Sequence, residues 1–180
     1  MSDEIQAKEA LKLAQWHLSR ADQLRLGLVS RTSALLSANA LVIAGAVLVS
    51  SSPSSRLAPI IWGSTLVVLT MSTYSVVQAT GVLTGPLRGR DLSRPPGFPP
   101  SLSFSYKDTL DEFSDPLAFR DGFMTQSTGD ATRSALLELW RCMTLHQLRM
   151  ARLHRATRSL LASTMVLIAT AAERMAFQVL

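Results

Sequence analysis

Two long stretches of the chain contain no charged residue, and their length predicts helices that cross a membrane. The first has 24 residues between Arg31 and Arg56, and the second has 31 residues between Arg56 and Arg88. A helix needs about 20 predominantly apolar residues to cross the hydrocarbon layer. The predicted elements are transmembrane helices over 32–51 and 58–80 and an external turn over 52–57.

A third apolar run lies at the end of the sequence. It has 14 uncharged residues between Arg158 and Glu173, and the last six residues to Leu180 are also mostly apolar. A run of 14 residues alone is more typical of a buried or interfacial helix than of a span. Because the apolar character continues beyond Glu173, we predict a third transmembrane helix over 159–178.

The polar segments beside these runs predict helices that continue into them. No proline precedes Pro53, so 4–50 can form one helix, and neither glycine nor proline follows Gly129, so another can begin at Ala131. Apolar residues recur every three or four positions in both, which predicts two faces that pack in parallel. These faces are Leu11, Ala14, Leu18, Ala21 and Leu28 in the first helix, interrupted by Arg25, and Leu139, Met143, His146, Met150, Leu153, Thr157 and Leu160 in the second, with Trp16 and Trp140 as further packing residues.

The segment between the second span and the last helix has a different composition. Five of the eight prolines lie between Pro86 and Pro100, which predicts a loop that either follows the membrane surface or is a plain linker. Asp115 before Pro116 predicts a helix N-terminus, and Asp130 predicts the cap of the last helix. The remaining predicted segments are a cytoplasmic helix over 1–31, a Pro-rich cytoplasmic loop with short helices over 81–130, and a cytoplasmic helix over 131–158.

The basic residues are distributed unevenly along the chain, and this predicts an orientation. Five Lys and Arg precede the first span and eleven lie in 88–158, whereas Arg56 is the only one near the turn. Basic flanks stay on the cytoplasmic side of a membrane. We therefore expect a multi-pass protein of the cell inner (plasma) membrane with a cytoplasmic N-terminus. The beginning, Met-Ser-Asp-Glu, lacks the pattern of a signal peptide.

Composition agrees with a membrane protein. Charged residues make up 17% of the chain and the mean hydropathy is +0.21, whereas ordinary soluble domains have about 25% charged residues. A net charge of +5 by itself would suggest a nucleic-acid partner. Because the basic residues flank the predicted spans, we attribute this charge to membrane topology and expect no nucleic-acid binding. The alternative is a soluble helical bundle with the apolar runs as its core.

The sequence lacks motifs for catalysis. We find no nucleophile elbow, P-loop, zinc-protease or dinucleotide-binding motif, and no Cys/His grouping with zinc-ligand spacing. The single cysteine, Cys142, excludes an internal disulfide. Four acidic residues between Asp108 and Asp115 are typical of a solvated face. We therefore expect a protein that is not an enzyme and has no catalytic residue, metal or cofactor.

One stretch of the sequence does suggest a ligand. The interval from Arg141 to Arg158 holds five arginines and no acidic residue. Guanidinium groups bind phosphate through paired hydrogen bonds, so the interval predicts a site for an anionic small molecule. The alternative is a basic collar at the cytoplasmic membrane boundary, above all for Arg155 and Arg158.

The order of these segments resembles a known family. The stretch Trp16-His-Leu-Ser-Arg-Ala-Asp22 leads into the first span, and Phe104-Ser-Tyr-Lys-Asp-Thr-Leu follows the Pro-rich link. Leu139-Trp-Arg and Leu153-His-Arg-Ala-Thr-Arg precede the last apolar run. Over about residues 10–172 the layout resembles the transmembrane effectors of the bacterial Pycsar antiphage systems. The resemblance implies a protein that senses cyclic CMP or cyclic UMP (cCMP or cUMP) during infection and impairs the inner membrane, which causes abortive infection.

A cyclic mononucleotide has one negative charge and a planar base, and each part suits a different type of residue. Arginine suits the phosphate, and an aromatic ring suits the base through stacking. The candidate ligand-binding residues are Arg141, Arg149, Arg152, Trp16 and Trp140. The alternative function is a membrane-anchored helical scaffold that docks a cytoplasmic partner without a ligand.

Besides the lipid bilayer and the nucleotide, we expect a second copy of the chain as a partner. Small residues allow helices to approach closely in lipid. Asn39 can bond across subunits, or within the chain to Ser64 or Thr65. The first span offers the small residues Ala34, Ser37, Ala38, Ala44 and Gly45 for a homo-oligomer.

Overall fold

The computed structural model describes residues 2–51, 58–84, 109–110, 113 and 115–179. Within these ranges the chain is all-α. The helices are α1 (Ser2–Ser50), α2 (Ala58–Thr84), α3 (Pro116–Thr125) and α4 (Thr128–Val179). The predicted turn over 52–57 and the Pro-rich stretch over 86–100 lie outside the described residues.

Three of these helices are long and apolar enough to cross a membrane, which confirms the predicted fold class. The mean hydropathy of the most apolar 18-residue window is 2.0 in α1, 1.6 in α2 and 1.4 in α4. The chain therefore has the features of a multi-pass membrane protein. α1 and α4 also extend far beyond their apolar parts, as the absence of proline from both segments predicted.

The starts of α3 and α4 are set by side-chain caps. Asp115 accepts a hydrogen bond from the backbone N–H of Leu117 (3.2 Å), as predicted from its place before Pro116. The prediction that Asp130 caps the last helix was wrong by one turn. Ser127 Oγ accepts from the N–H of Asp130 (3.1 Å) and donates to its carboxylate (2.7 Å), so the helix begins at Thr128 with a reciprocal cap.

The chain folds as two compact units, and α1 and α4 each contribute to both. The polar unit comprises Met1–Leu26 and Leu87–Gln147, and the three-helix unit comprises Gly27–Pro86 and Leu148–Leu180.

In the three-helix unit, apolar residues form successive layers. Leu28, Val82 and Leu153 make one layer, in which one residue comes from each helix. The next contains Leu35, Ala79 and Ala156, and a third contains Val42, Ala46 and Val68. Residue numbers rise together in α1 and α4 and fall in α2, so α1 and α4 are parallel and α2 is antiparallel to both. The predicted parallel packing of the two long helices is confirmed within one chain.

Polar side chains are buried between these layers. The Asn39 amide donates to Leu35 O (2.9 Å) and to Ser75 Oγ (3.0 Å), and Ser75 donates to Ala156 O (2.8 Å). One amide and one hydroxyl thus connect all three helices. Asn39 is fully buried and bonds within the chain, which was one of the two predicted alternatives, but its partner is Ser75 rather than Ser64 or Thr65.

Gly45 also belongs to the intrachain packing of this unit. A Cβ atom at Gly45 would lie 3.0 Å from Leu167 Cδ2 of α4. The glycine therefore permits the close approach of α1 to α4. Ala34, Ser37 and Ala44 of the same predicted face are exposed.

The polar unit is built on the beginnings of the same two helices. Ala14 and Ala135 are buried, and Thr132 Oγ1 donates to Ala7 O (3.1 Å). Trp16 and Trp140 are each 55% exposed, so the expectation that they pack inside the bundle was wrong.

The apolar face predicted for α4 was correct in part. Leu153 is buried, and Met150 and Leu160 pack against the apolar layers. Met143 is 57% exposed. Its hydrophobicity predicted that Met143 would be buried. The buried positions of α4 instead include Arg141 and Ala156, which periodicity in apolar residues alone does not select.

Candidate functional site

The five predicted ligand-binding residues fall in different units. Arg141, Trp16 and Trp140 lie in the polar unit, whereas Arg149 and Arg152 lie in the three-helix unit. Arg141 pairs with a carboxylate and Arg152 with a backbone carbonyl. A common role of the five residues as a ligand site stays a prediction.

Arg141 is held in a nearly buried ion pair. Its Nη1 atom lies 3.3 Å from Glu138 Oε2 one turn earlier on α4, and the Arg141 side chain is only 8% exposed. The Cys142 Sγ atom lies 4.0 Å from the other oxygen of the same carboxylate. A phosphate at Arg141 would have to compete with Glu138 for the guanidinium.

Arg152 binds the end of a neighbouring helix. Its Nη1 atom donates to Gly81 O at 2.6 Å. The last four carbonyls of a helix have no partner within that helix, and a cation near them also interacts favourably with the helix dipole. Gly81 permits this approach, since a Cβ there would lie 3.0 Å from Arg152 Nη1. Arg152 therefore caps the C-terminus of α2.

Arg174 does the same for α1, a role that its place in the sequence did not predict. Its Nη1 atom donates to Val49 O (2.7 Å) and to Leu48 O (3.3 Å). The only signal in the sequence was a charge placed just after an apolar run. Arg174 lies 22 residues after Arg152 on α4, which corresponds to about 33 Å of helix. Since the hydrocarbon layer is about 30 Å thick, the two caps lie about one bilayer thickness apart.

A second feature missed by the sequence analysis is an aromatic–cation pair in the polar unit. Arg20 Cζ lies 5.5 Å from the centroid of the Trp16 ring, and the His17 ring meets Trp16 edge-on at 4.8 Å. Their spacing of four residues on a helix could have revealed the pair. A recess of about 300 Å³ opens beside them, lined by Trp16, Ser19, Arg20, Gln23 and Leu24.

No cluster of three or more His, Cys, Asp or Glu that could hold a metal ion occurs among the described residues. Of the acidic cluster seen in the sequence, Asp115 is exposed and caps α3, while Asp108, Asp111 and Glu112 lie outside the described residues. Comparison of the chain with protein-family models, with curated proteins and with solved structures finds no match.

Proposed function

We propose that this chain is a membrane effector of a bacterial antiphage signalling system, activated by the cyclic pyrimidine mononucleotide cCMP or cUMP to impair the inner membrane and cause abortive infection. Three candidate spans and the resemblance of the segment order support the proposal. The observation that carries it is the pairing of Trp16 with Arg20 beside an open recess.

In this proposal the recess in the polar unit receives the nucleotide. Trp16 is 55% exposed and offers ring area on which a pyrimidine can stack, and Arg20 offers a guanidinium for the cyclic phosphate. Gln23 lines the same recess and carries both a donor and an acceptor for the edge of the base. Arg141, Arg149, Arg152 and Trp140 do not line this recess, and their role in ligand binding stays a prediction.

The proposed route from ligand to membrane uses the helices themselves. α1 and α4 are each continuous from the polar unit into the three-helix unit. A phosphate that took the Arg152 guanidinium would also leave the carbonyl of Gly81 without its cap. The nucleotide must bind the damaging conformation more tightly than the resting one, since equal affinity shifts no population.

The proposed topology places the N-terminus and the polar unit in the cytoplasm and the turn after α1 outside. Reporter fusions at Ser52 should give an external signal, and fusions at Ser103 a cytoplasmic one. A fusion after Leu180 should give an external signal, because α4 crosses in the same direction as α1. The reversed pattern would reject this topology.

Binding can be measured directly by titration calorimetry on detergent-purified protein. cCMP or cUMP should bind, and the open-ring nucleotide 5′-CMP should bind more weakly. Trp16→Ala should weaken binding about tenfold or more, the amount expected for a lost stacking contact. Arg20→Ala should weaken it at least as much, whereas Arg25→Ala, an exposed arginine of the same helix outside the recess, should not.

The effect on the membrane needs a separate readout. Liposomes that contain the protein and an encapsulated dye should release the dye when the cyclic nucleotide is added. Arg149→Ala combined with Arg152→Ala should abolish release while the protein still inserts. Release without nucleotide, or no release with it, would contradict the proposed mechanism.

A scaffold without a ligand is the second candidate function, and one observation favours it. Leu136, Trp140 and Met143 are all exposed and share one face of α4 in the polar unit. An exposed apolar face outside the lipid is typical of a docking surface for another helix. If purified protein binds neither cyclic nucleotide, and a Leu136→Ser/Met143→Ser variant loses a co-purifying cytoplasmic protein, the scaffold becomes the better assignment.

A further inference from the structure

Three exposed arginines of the three-helix unit have no role in its internal packing. Arg31 of α1 and Arg155 and Arg158 of α4 are exposed, in contrast to Arg152 and Arg174, which cap helix ends. Among the described residues, no acceptor accounts for three cations on the surface of this apolar unit.

The packing of α1 against α4 places these three residues at one level. Val49 contacts Arg174, 125 positions later, and Leu28 and Leu35 share layers with Leu153 and Leu160, which are equally far ahead. The same offset puts Arg31 at the level of Ala156, between Arg155 and Arg158. The three arginine positions therefore lie within about one helical turn of one another along the shared direction of α1 and α4.

This level lies at one boundary of the apolar layer. Arg155 and Arg158 come about 4.5 and 9 Å beyond Arg152 along α4, on the side toward Arg174. Side chains on a helix point toward its N-terminus, and long arginine stems can reach back to the interface while their carbons stay in lipid. Both arginines can thus bring their charges to the headgroup region at the level of the α2 C-terminus.

No carboxylate in the described part of the three-helix unit balances these charges. Its acidic residues there are limited to Glu173, which lies beside Arg174 at the opposite end. α2 carries no charged side chain over Ala58–Thr84. This part of the chain supplies no counter-charge, and lipid phosphates are the anionic groups that a bilayer crossed by these helices would place at this level.

We propose that Arg31, Arg155 and Arg158 form a collar that binds the phosphate headgroups of anionic phospholipids in one leaflet. Arginine binds phosphate oxygens in bidentate fashion, and each basic residue near a membrane surface favours an anionic lipid by about fivefold. The collar does not depend on nucleotide binding, and it would operate in an effector and in a scaffold.

Electron spin resonance with spin-labelled lipids tests the collar on reconstituted protein. In phosphatidylcholine bilayers, wild type should retain labelled phosphatidylglycerol several-fold more strongly than labelled phosphatidylcholine. Replacing all three arginines with glutamine should bring this ratio close to one. Raising the salt concentration should lower the wild-type ratio, because exposed charges are screened.

Two matched variants separate the collar from general charge. Arg120→Gln with Arg133→Gln removes exposed arginines of the polar unit and should leave the ratio unchanged. Replacing the three collar arginines with lysine should keep most of it, and this variant also tests the proposal if the glutamine variant fails to insert. A wild-type ratio of one, an unchanged ratio in the glutamine variant, or displacement of the lipid by millimolar inorganic phosphate would overturn the assignment.

Discussion

The two units of this protein differ in what they bury. The three-helix unit buries polar side chains between thin apolar layers, and large apolar residues such as Leu41, Leu66 and Met165 are exposed on its surface. The polar unit buries alanines, Leu137, Ser134 and an ion pair, and its described surface mixes charged residues with apolar ones such as Leu13 and Leu136. This difference indicates which unit is suited to lipid and which to water. Lipid removes the hydrophobic driving force between helices and favours small and hydrogen-bonding contacts instead. The fully buried polar residues of the three-helix unit are Thr32, Asn39, Ser72, Ser75 and Ser163.

The two units also differ in what their arginines bind. In the polar unit Arg141 pairs with the carboxylate of Glu138. In the three-helix unit Arg152 and Arg174 bind backbone carbonyls at helix ends, where helix geometry leaves acceptors without partners. Arginine therefore pairs with a carboxylate of its own helix in the polar unit and binds the ends of neighbouring helices in the three-helix unit.

The largest effect on stability is expected from breaking the Arg141–Glu138 pair. Arg141→Ala leaves a largely buried carboxylate without this partner, and we expect a loss of about 3 kcal/mol, the lower end for buried pairs because Glu138 keeps some exposure. Thermal unfolding in mild detergent measures it. Arg120→Ala removes an exposed pair with Asp121 and should have no measurable effect, so equal losses would contradict the comparison.

The next largest loss of stability is expected from overfilling the interior of the three-helix unit. Ala79 is fully buried against Leu35 and Ala156, so Ala79→Leu should cost between about 2 and 3 kcal/mol. Ala40→Leu adds the same atoms on an exposed position of α1 and should be tolerated, since lipid accommodates them. Tolerance of leucine at both positions would mean that the layers are not closely packed.

Removal of a helix cap should have a smaller effect. Arg152→Ala loses a charge-assisted hydrogen bond to Gly81 O, and we expect a loss of about 2 kcal/mol. Hydrogen exchange should increase first in the last turn of α2. Arg155→Ala is the control, because that exposed arginine makes no cap. If both variants exchange alike, Arg152 is not the residue that holds the end of α2.

The hydrogen bond between Asn39 and Ser75, part of the polar link between the three helices, should contribute less to stability than a helix cap. Asn39→Ala removes the donor to Ser75, and hydrogen bonds between helices in membranes average about 0.6 kcal/mol, so a loss of about 1 kcal/mol is the upper expectation. Ser37→Ala, whose hydroxyl bonds only within α1, serves as the comparison and should lose less. A crosslinked dimer that disappears only in Asn39→Ala would return this residue to an intersubunit role.

The tryptophans offer the mildest test, since no stability change is expected from Trp16→Phe. Variants that each retain a single tryptophan should show whether that ring is in contact with water or with lipid. Trp16 and Trp140 should be quenched by aqueous acrylamide, and Trp62, which is exposed near the start of α2, should be quenched by brominated lipid. Quenching of Trp62 by acrylamide alone would place α2 outside the membrane.

The pattern of charge and proline along the chain was enough to predict most of the fold. Apolar runs with few or no charges marked the three candidate spans, and the absence of proline marked the two long helices. The candidate site was predicted less well, because an arginine in the sequence gives no sign of whether a carboxylate, a helix end or solvent faces it. Arg141, Arg152 and Arg155 belong to one stretch of sequence and have these three different surroundings.

The sequence by itself determined the helical class, the number of apolar helices and the cap at Asp115, since these depend on local composition and backbone chemistry. Only the tertiary structure decided that Asn39 bonds to Ser75, that Gly45 receives Leu167, and that Arg174 caps α1. Each of these contacts joins residues far apart in the chain. Their partners depend on the register in which α1, α2 and α4 pack, and periodicity within a single helix does not specify that register.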